Sequence, residues 1–305
     1  MSRIASPLVV CAAWWCAMLV SPAPSLAQYG ATNGEWRSYG GDLGSTKYSP
    51  LDQITSENFE QLEIAWRWRS VDGMLSKTTA SGGEWLGRSQ DIFAALDAAN
   101  PDLWRDGQAP RASGLKATPL MVGGRLFLNT PASLGVAVDA RTGETLWIYN
   151  PKSYEEGTTT MTGTWRQRGV AYWTDGEDDE RIFWGTGNGY LVCVDARTGQ
   201  PCPDFGPNGS GMVDAMVGIP RANRDERDYL NAMLYSVQSP PIVVGDVVIH
   251  GSSIADRRIN KEAVPGWVRA WDVRSGEHKW DFHTVPLENE EGVETWEDDS
   301  WQYTG

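Results

Sequence analysis

Two of the four cysteines, the three histidines and two acidic runs are the side chains of the predicted mature chain whose types could support chemistry. Cys193 and Cys202 flank one predicted turn, so they form either a cross-strand disulfide or two separate buried thiols. The histidines share no spacing suited to a common metal, which favours core or surface positions: His250, His278 and His283. The runs Glu177–Glu180 and Glu288–Asp299 are interpreted as solvated loops rather than metal sites.

Nucleophilic and phosphate chemistry find no support in the sequence. It contains no G-x-S-x-G motif, no phosphate-binding loop and no C-x-x-C pair. The formal net charge is −14, from 40 acidic and 26 basic residues. Such a charge disfavours nucleic acid and anionic membranes as partners.

The first 27 residues are typical of a secretory signal peptide. The apolar run Leu8–Val20 is shorter than the roughly 20 residues that span a bilayer, and small residues stand at Ser25 and Ala27. We expect cleavage after Ala27 and a periplasmic mature chain, residues 28–305, without a transmembrane segment. No cysteine stands near Ala27, which argues against a lipid anchor.

The elements that must position these side chains are short strands joined by turns. Three stretches each hold two apolar runs around a turn: ATPLMVGGRLFLNTP (117–131), RGVAYWTDGEDDERIFWGTGN (168–188) and SPPIVVGDVVIHGSS (239–253). A second predicted hairpin follows each: GVAVDARTGETLWIY (135–149), YLVCVDARTGQPCPDF (190–205) and VRAWDVRSGEHKWDF (268–282). Units of four strands repeated along a chain predict an all-β fold, a β-propeller of four-stranded blades.

The repeated D-A-R-T-G sequence has a physical explanation. Its glycine can adopt the positive φ that closes a tight turn, and its aspartate can accept hydrogen bonds from the backbone amides of that turn. A tryptophan follows at positions 147 and 280. We expect this tryptophan to supply each blade with a large apolar side chain for packing.

The two ends of the chain read as incomplete blades. The segment 50–70 contains the Leu62 and Trp66 of an outer closing strand, with no blade before it, and another unit begins at residues 301–305. We therefore predict three whole blades and two partial ones. On this interpretation residues 28–305 are a propeller domain truncated at the C-terminus.

Several blocks, in the same order along the chain, resemble the N-terminal half of the pyrroloquinoline-quinone-dependent dehydrogenases, and most of all their glucose dehydrogenase branch. The blocks are WRSYGGDLGSTKYSPLDQIT (36–55), KATPLMVGGRLFLNTP (116–131), RGVAYW (168–173), SPPIVVGDVV (239–248) and WEDDSWQYTG (296–305). The resemblance implies an eight-bladed propeller that binds pyrroloquinoline quinone (PQQ) and Ca²⁺ near its axis. It also implies oxidation of an aldose sugar such as glucose, or of an alcohol, with electrons passing to a membrane quinone or a cytochrome.

The resemblance further implies which residues meet the cofactor. Arg168 matches an arginine that grips one of the three carboxylates of PQQ, a task suited to its two-pronged donor, although a surface position is the alternative. Lys116 stands where many relatives carry an acidic residue, and it either pairs with a carboxylate or points outward. Gln238 stands where the family usually has threonine.

The segment GSSIAD (251–256) resembles the stretch that meets both quinone and metal in the family. Ser253 and Ala255 match quinone contacts, and Asp256 matches a calcium ligand or, alternatively, caps a turn. Ca²⁺ takes six to eight oxygen ligands, so the others must come from the cofactor and later blades. The catalytic base and the stacking tryptophan are expected beyond residue 305, so no catalytic residue is assigned in this chain.

Two features separate the remaining hypotheses. Alcohol-type relatives carry adjacent cysteines, which are absent from residues 162–170, and this favours the sugar-oxidising branch. The alternative function is a non-enzymatic propeller scaffold of the cell envelope. Such a scaffold would share the repeats but not Arg168 and the GSSIAD segment, and it usually carries a lipid-attachment cysteine.

Overall fold

The computed structural model describes residues 31, 34–70, 111–112, 114–153, 164–220, 235–254 and 264–302. Sixteen strands lie within these ranges: β1 (Arg111–Ala112), β2 (Leu120–Val122), β3 (Arg125–Asn129), β4 (Gly135–Asp139), β5 (Thr145–Tyr149), β6 (Thr164–Trp165), β7 (Ala171–Thr174), β8 (Glu180–Gly185), β9 (Tyr190–Asp195), β10 (Met212–Asp214), β11 (Tyr235–Ser236), β12 (Ile242–Val244), β13 (Val247–His250), β14 (Ser253–Ile254), β15 (Trp267–Asp272) and β16 (His278–His283). The helical elements of the same ranges are short 3-10 turns: Phe59–Gln61, Pro207–Gly209, Val293–Thr295 and Glu297–Gln302. No helix of these ranges is long and apolar enough to cross a membrane.

Twelve of the strands form three antiparallel four-stranded sheets. Blade I has the strand order β2-β3-β4-β5, blade II has β7-β8-β9-β10, and blade III has β12-β13-β15-β16. Two small pairs involve the segments between blades, β1 with β6 in parallel and β11 with β14 in antiparallel orientation. The predicted all-β fold, a partial β-propeller with three whole blades, is confirmed.

The D-A-R-T-G turn has the predicted geometry. Asp139 Oδ1 accepts hydrogen bonds from Arg141 N at 2.9 Å and from Thr142 N at 2.7 Å, and Gly143 has φ +76°. The corresponding aspartates of the other two blades accept the same pair of backbone hydrogen bonds: Asp195 and Asp272. Each blade thus has the same short-range interaction in the turn that follows its third strand.

Trp147, the tryptophan that follows the turn of blade I, packs against the turn of blade II. Trp147 Nε1 donates to Ala196 O at 3.0 Å, and the ring lies 2.6 Å from where a Cβ on Gly199 would be. Trp66 lies in the same way against Gly143 of blade I. Gly143 and Gly199 are therefore required because a tryptophan ring occupies the space beside each of them.

The segment 50–70 does not form the predicted outer strand. Phe59–Gln61 is a 3-10 turn, and residues 62–70 pair with no strand of the described ranges. Tryptophans attach this segment to blade I instead, since Trp68 Nε1 donates to Thr145 Oγ1 at 3.0 Å and Trp66 covers the blade I turn. An outer strand needs a neighbouring strand edge for its hydrogen bonds, and the described residues offer none here.

The outer strand of blade II begins later than predicted. The sequence suggested a strand directly after the turn, but Pro201 makes one bridge to Val194 and the chain then leaves the sheet before β10 rejoins β9. Proline has no N–H to extend the ladder. Cys202 is instead tied to Cys193 of β9 by a disulfide, with the two Cα atoms 5.6 Å apart. This bond resolves the alternative that the sequence left open.

The apolar core lies between adjacent blades. Blades I and II bury one cluster that includes Leu120, Phe127, Ala137, Ile182, Trp184 and Val192. Blades II and III bury another that includes Trp173, Phe183, Leu191, Phe205, Val248 and Trp271. On the outer strand of blade III, by contrast, Trp280 is 42 % exposed. Contact between blades is therefore the main source of apolar burial in the described part of the chain.

Candidate functional site

A short inner segment precedes the first strand of each blade, and backbone hydrogen bonds join these three segments. Thr118 N donates to Arg168 O at 3.0 Å, and Arg168 N donates to Gln238 O at 3.1 Å. Lys116 lies two residues before Thr118 in the first segment. Three residues that the family resemblance identified therefore lie at the same end of adjacent blades.

Gly169 allows the inner segments to approach one another. It forms an isolated parallel bridge with Thr118 and has φ +150°, a conformation that side chains rarely adopt. A Cβ on Gly169 would lie 3.3 Å from Thr118 O and 3.1 Å from Pro240 Cγ. The glycine after Arg168 is thus required where the segments of all three blades meet.

The β11–β14 pair connects Ser253 to the inner segment that contains Gln238. Strand β14 pairs with β11 so that Ser253 lies opposite Ser236, and Gln238 Nε2 donates to Ser236 Oγ at 3.0 Å. Gln238 is only 8 % exposed, and Ser253 is half-buried. The two remaining predicted contacts, Ala255 and Asp256, lie outside the described residues.

The cations of this region have no acidic partner in the described ranges. Lys116 and Arg168 are exposed, and neither belongs to an ion pair there. Arg166 lies in the same segment, and its buried Nε has no hydrogen-bond partner among the described atoms. In a chain of net charge −14, such cations suit an anionic ligand. With the Gln238 amide and the Ser253 hydroxyl they form a donor set that fits the carboxylates and carbonyl oxygens of PQQ.

Several acidic side chains around the run 177–180 stabilise turns or form ion pairs. Asp175 Oδ1 accepts a hydrogen bond from Glu177 N at 2.8 Å, and Asp179 pairs with Arg181 at 2.8 Å. No group of three or more His, Cys, Asp or Glu side chains could hold a metal within this part of the chain. The run 177–180 is a surface turn, and the calcium site expected around Asp256 stays a prediction.

The histidines occupy core and surface positions, as the sequence predicted. His278 Nε2 lies 2.7 Å from Asp281 Oδ1, and His283 Nδ1 lies 2.7 Å from Glu290 Oε1, both near the surface. His250 is buried at the end of β13, where its Nε2 accepts a hydrogen bond from the Trp271 indole at 3.0 Å. Burial lowers the pKa of His250 to about 4, because the imidazolium form would lose its hydration.

The depressed pKa of His250 predicts a pH-dependent stability. Between pH of about 6.5 and 4 the unfolded chain binds a proton at this residue and the folded chain does not, so the free energy of unfolding falls as the pH falls. We expect a loss of roughly 3 kcal/mol across this window from His250. Urea unfolding at several pH values should show a shallower pH dependence in His250→Gln than in wild type. Equal slopes would contradict the assignment.

Comparison with known proteins identifies the family. Residues 36–305 match the family model described as "PQQ: Glucose/ethanol/alcohol dehydrogenase, beta-propeller domain". The chain belongs to this family. Quinoprotein glucose dehydrogenase A of Acinetobacter calcoaceticus is 28% identical over 282 residues, covering 87% of this chain and 30% of that protein. The dehydrogenase subunit of alcohol dehydrogenase (quinone) from Gluconobacter oxydans is 28% identical over 257 residues, covering 83% of this chain and 26% of that protein.

Solved structures show the same fold. Quinohemoprotein alcohol dehydrogenase ADHIIG from Pseudomonas putida HK5 has a TM-score of 0.56 and 26% identity, covering 86% of this chain and 29% of that chain. The chain thus spans less than a third of the length of these relatives. The chain is therefore similar to both sugar and alcohol dehydrogenases of the quinoprotein class.

Two residues of this candidate site were not identified from the sequence. Arg166 and Gln167 precede Arg168 in the stretch R-Q-R-G, and Gln167 is buried while Arg168 is exposed. In an extended segment, alternate side chains face opposite sides. The alternation of arginine and glutamine could therefore have indicated two cations on one side of the segment and a buried amide on the other.

Proposed function

We propose that this chain forms part of the cofactor site of a periplasmic quinoprotein dehydrogenase. The enzyme would use PQQ and Ca²⁺ to oxidise an aldose sugar such as glucose, or an alcohol, and pass electrons to a membrane quinone or a cytochrome. One observation carries the proposal. The joined inner segments of three blades gather Arg168, Lys116 and Gln238, and both cations lack an acidic partner in the described ranges.

The residues of this chain would bind and orient the cofactor. When bound, PQQ supplies an electrophilic quinone that accepts two electrons from the substrate. Arg168 would donate two parallel hydrogen bonds to one carboxylate, which fixes direction as well as distance. Lys116 would add a positive charge beside it, and the Gln238 amide, already held by Ser236, would form part of the wall.

The proposed calcium ligand of this chain is Asp256, two residues after β14. One carboxylate supplies at most two of the six to eight oxygens that Ca²⁺ takes. The ion would therefore depend on the cofactor and on residues outside 1–305. Ala255 would contribute a backbone contact to the quinone.

An aldose sugar is the substrate class that we favour. The adjacent cysteines of alcohol-oxidising relatives are missing from residues 162–170. The matched relatives include a glucose dehydrogenase and an alcohol dehydrogenase, each at 28% identity. Their similarity to this chain therefore supports the reaction class, and the cysteine pattern supports the choice within it.

Activity of the reconstituted enzyme tests the proposal. The product of the complete reading frame that encodes this chain would be loaded with PQQ and Ca²⁺ and assayed with an artificial electron acceptor. We expect oxidation of aldose sugars, or of alcohols, without NAD. Activity that requires NAD would contradict the proposal, and tight PQQ binding with no oxidation of any sugar or alcohol would favour a scaffold.

A further inference from the structure

Gln167 is a buried polar side chain at the junction of blades I and II. It directly precedes Arg168, and only 1 % of its surface is exposed. A buried amide is costly unless its nitrogen and oxygen are hydrogen-bonded. The hydrogen-bond partners of the Gln167 amide therefore hold this part of the inner segment in place.

Three groups from separate parts of the chain hold the Gln167 amide. In the orientation that pairs both of its ends, the nitrogen donates to Gly185 O at 3.1 Å, while the oxygen accepts from Ser133 Oγ at 3.1 Å and from Gly187 N at 3.2 Å. Gly185 ends β8, Gly187 follows in the next turn, and Ser133 comes from the loop between β3 and β4. The side chain thus joins both blades to the inner segment.

The Ser133 anchor is itself fixed. Its backbone has φ +69°, its N–H donates to Thr130 O at 2.9 Å, and its carbonyl accepts a hydrogen bond from the buried Trp184 indole at 2.8 Å. Ser133 Oγ also accepts from Gly187 N at 3.1 Å. Ser133 is fully buried, so these interactions are shielded from water.

The backbone of Arg168 is held on both sides as well. Its N–H donates to Gln238 O and its carbonyl accepts from Thr118 N. The guanidinium remains exposed, without an ion pair in the described ranges. The backbone of Arg168 is therefore fixed, while its guanidinium is accessible to a ligand.

We propose that Gln167 is a positioning residue, which orients Arg168 toward a carboxylate of the bound cofactor. This inference rests on the proposed function. A two-pronged arginine contact requires a fixed direction, and ordering a free side chain on binding costs affinity. By fixing the backbone from which Arg168 projects, the Gln167 amide reduces that cost in advance.

A double-mutant cycle on the product of the complete reading frame, loaded with Ca²⁺, tests this role, with PQQ as the probe and calorimetry as the readout. Gln167→Met keeps the length of the side chain and removes its hydrogen bonds. We expect it to weaken PQQ binding about tenfold when Arg168 is present and less than about twofold in the Arg168→Ala background. Trp173→Phe is the control, because it removes a part-buried hydrogen bond to Gly245 O at the opposite end of blade II and should leave the affinity unchanged.

The outcomes separate the inference from the function on which it rests. If wild type binds PQQ and Gln167→Met binds equally well, or weakens binding equally in both backgrounds, Gln167 does not act through Arg168. If wild type does not bind PQQ, the proposed function fails together with the inference. Should Gln167→Met not fold, Ser133→Ala removes one anchor of the same amide, and the same dependence on Arg168 is expected.

Discussion

Replacing Arg168 with alanine is expected to weaken PQQ binding about thirtyfold. A charge-assisted hydrogen-bond pair to a carboxylate contributes roughly 1.5–3 kcal/mol, and thirtyfold corresponds to about 2 kcal/mol. Arg168 is exposed in the free chain, so its guanidinium loses hydration when PQQ binds. This loss opposes binding and keeps the net contribution of Arg168 within that range. Calorimetric titration of the product of the complete reading frame with PQQ would measure the ratio.

Two variants make the Arg168 result specific. Arg141→Ala removes another exposed arginine, in the turn at the opposite end of blade I, and should leave PQQ affinity unchanged. Arg168→Lys keeps the charge but loses the two-pronged geometry. We therefore expect its PQQ affinity to lie between the affinities of wild type and Arg168→Ala. Equal weakening by Arg141→Ala would show that net charge alone determines binding.

Replacing Trp184 with alanine is expected to lower the free energy of unfolding by about 3–5 kcal/mol. Trp184 is fully buried in the cluster between blades I and II, and its ring fills the space beside Gly135, 2.5 Å from where a Cβ would lie. Its indole N–H also donates to Ser133 O. The substitution would leave a cavity and an unsatisfied carbonyl, and urea unfolding would measure the loss.

The control for Trp184 is the same substitution where burial is incomplete. Trp280 is 42 % exposed on blade III, so Trp280→Ala should cost much less than Trp184→Ala. Similar losses for both variants would show that contact between blades I and II is not a major source of stability.

Local sequence patterns predicted the repeating turn and the three blades, because the interactions involved are short-range. Asp139, Asp195 and Asp272 each accept hydrogen bonds from residues two and three positions later, so the pattern contains its own partners. The outer strand of blade II was predicted wrongly. There Pro201 interrupts the ladder and the Cys193–Cys202 disulfide redirects the chain, and the sequence did not fix whether these cysteines pair.

The candidate site was predicted less completely, because its contacts join residues that are distant along the chain. Family resemblance identified Arg168 and Gln238, but their contact is a backbone hydrogen bond between two blades that no local pattern encodes. Gln167 was missed because its partners, Ser133 and Gly185, lie on other parts of the chain. Likewise, no local pattern indicated that Trp147 donates a hydrogen bond to the turn of the next blade.

A crystal structure of the complete protein with bound PQQ would show directly where the cofactor lies. The proposed site predicts a cofactor carboxylate within about 3 Å of the Arg168 guanidinium, with Gln238 and Ser253 beside the same molecule at the joined inner segments. PQQ bound at another surface, with Arg168 facing solvent, would contradict it.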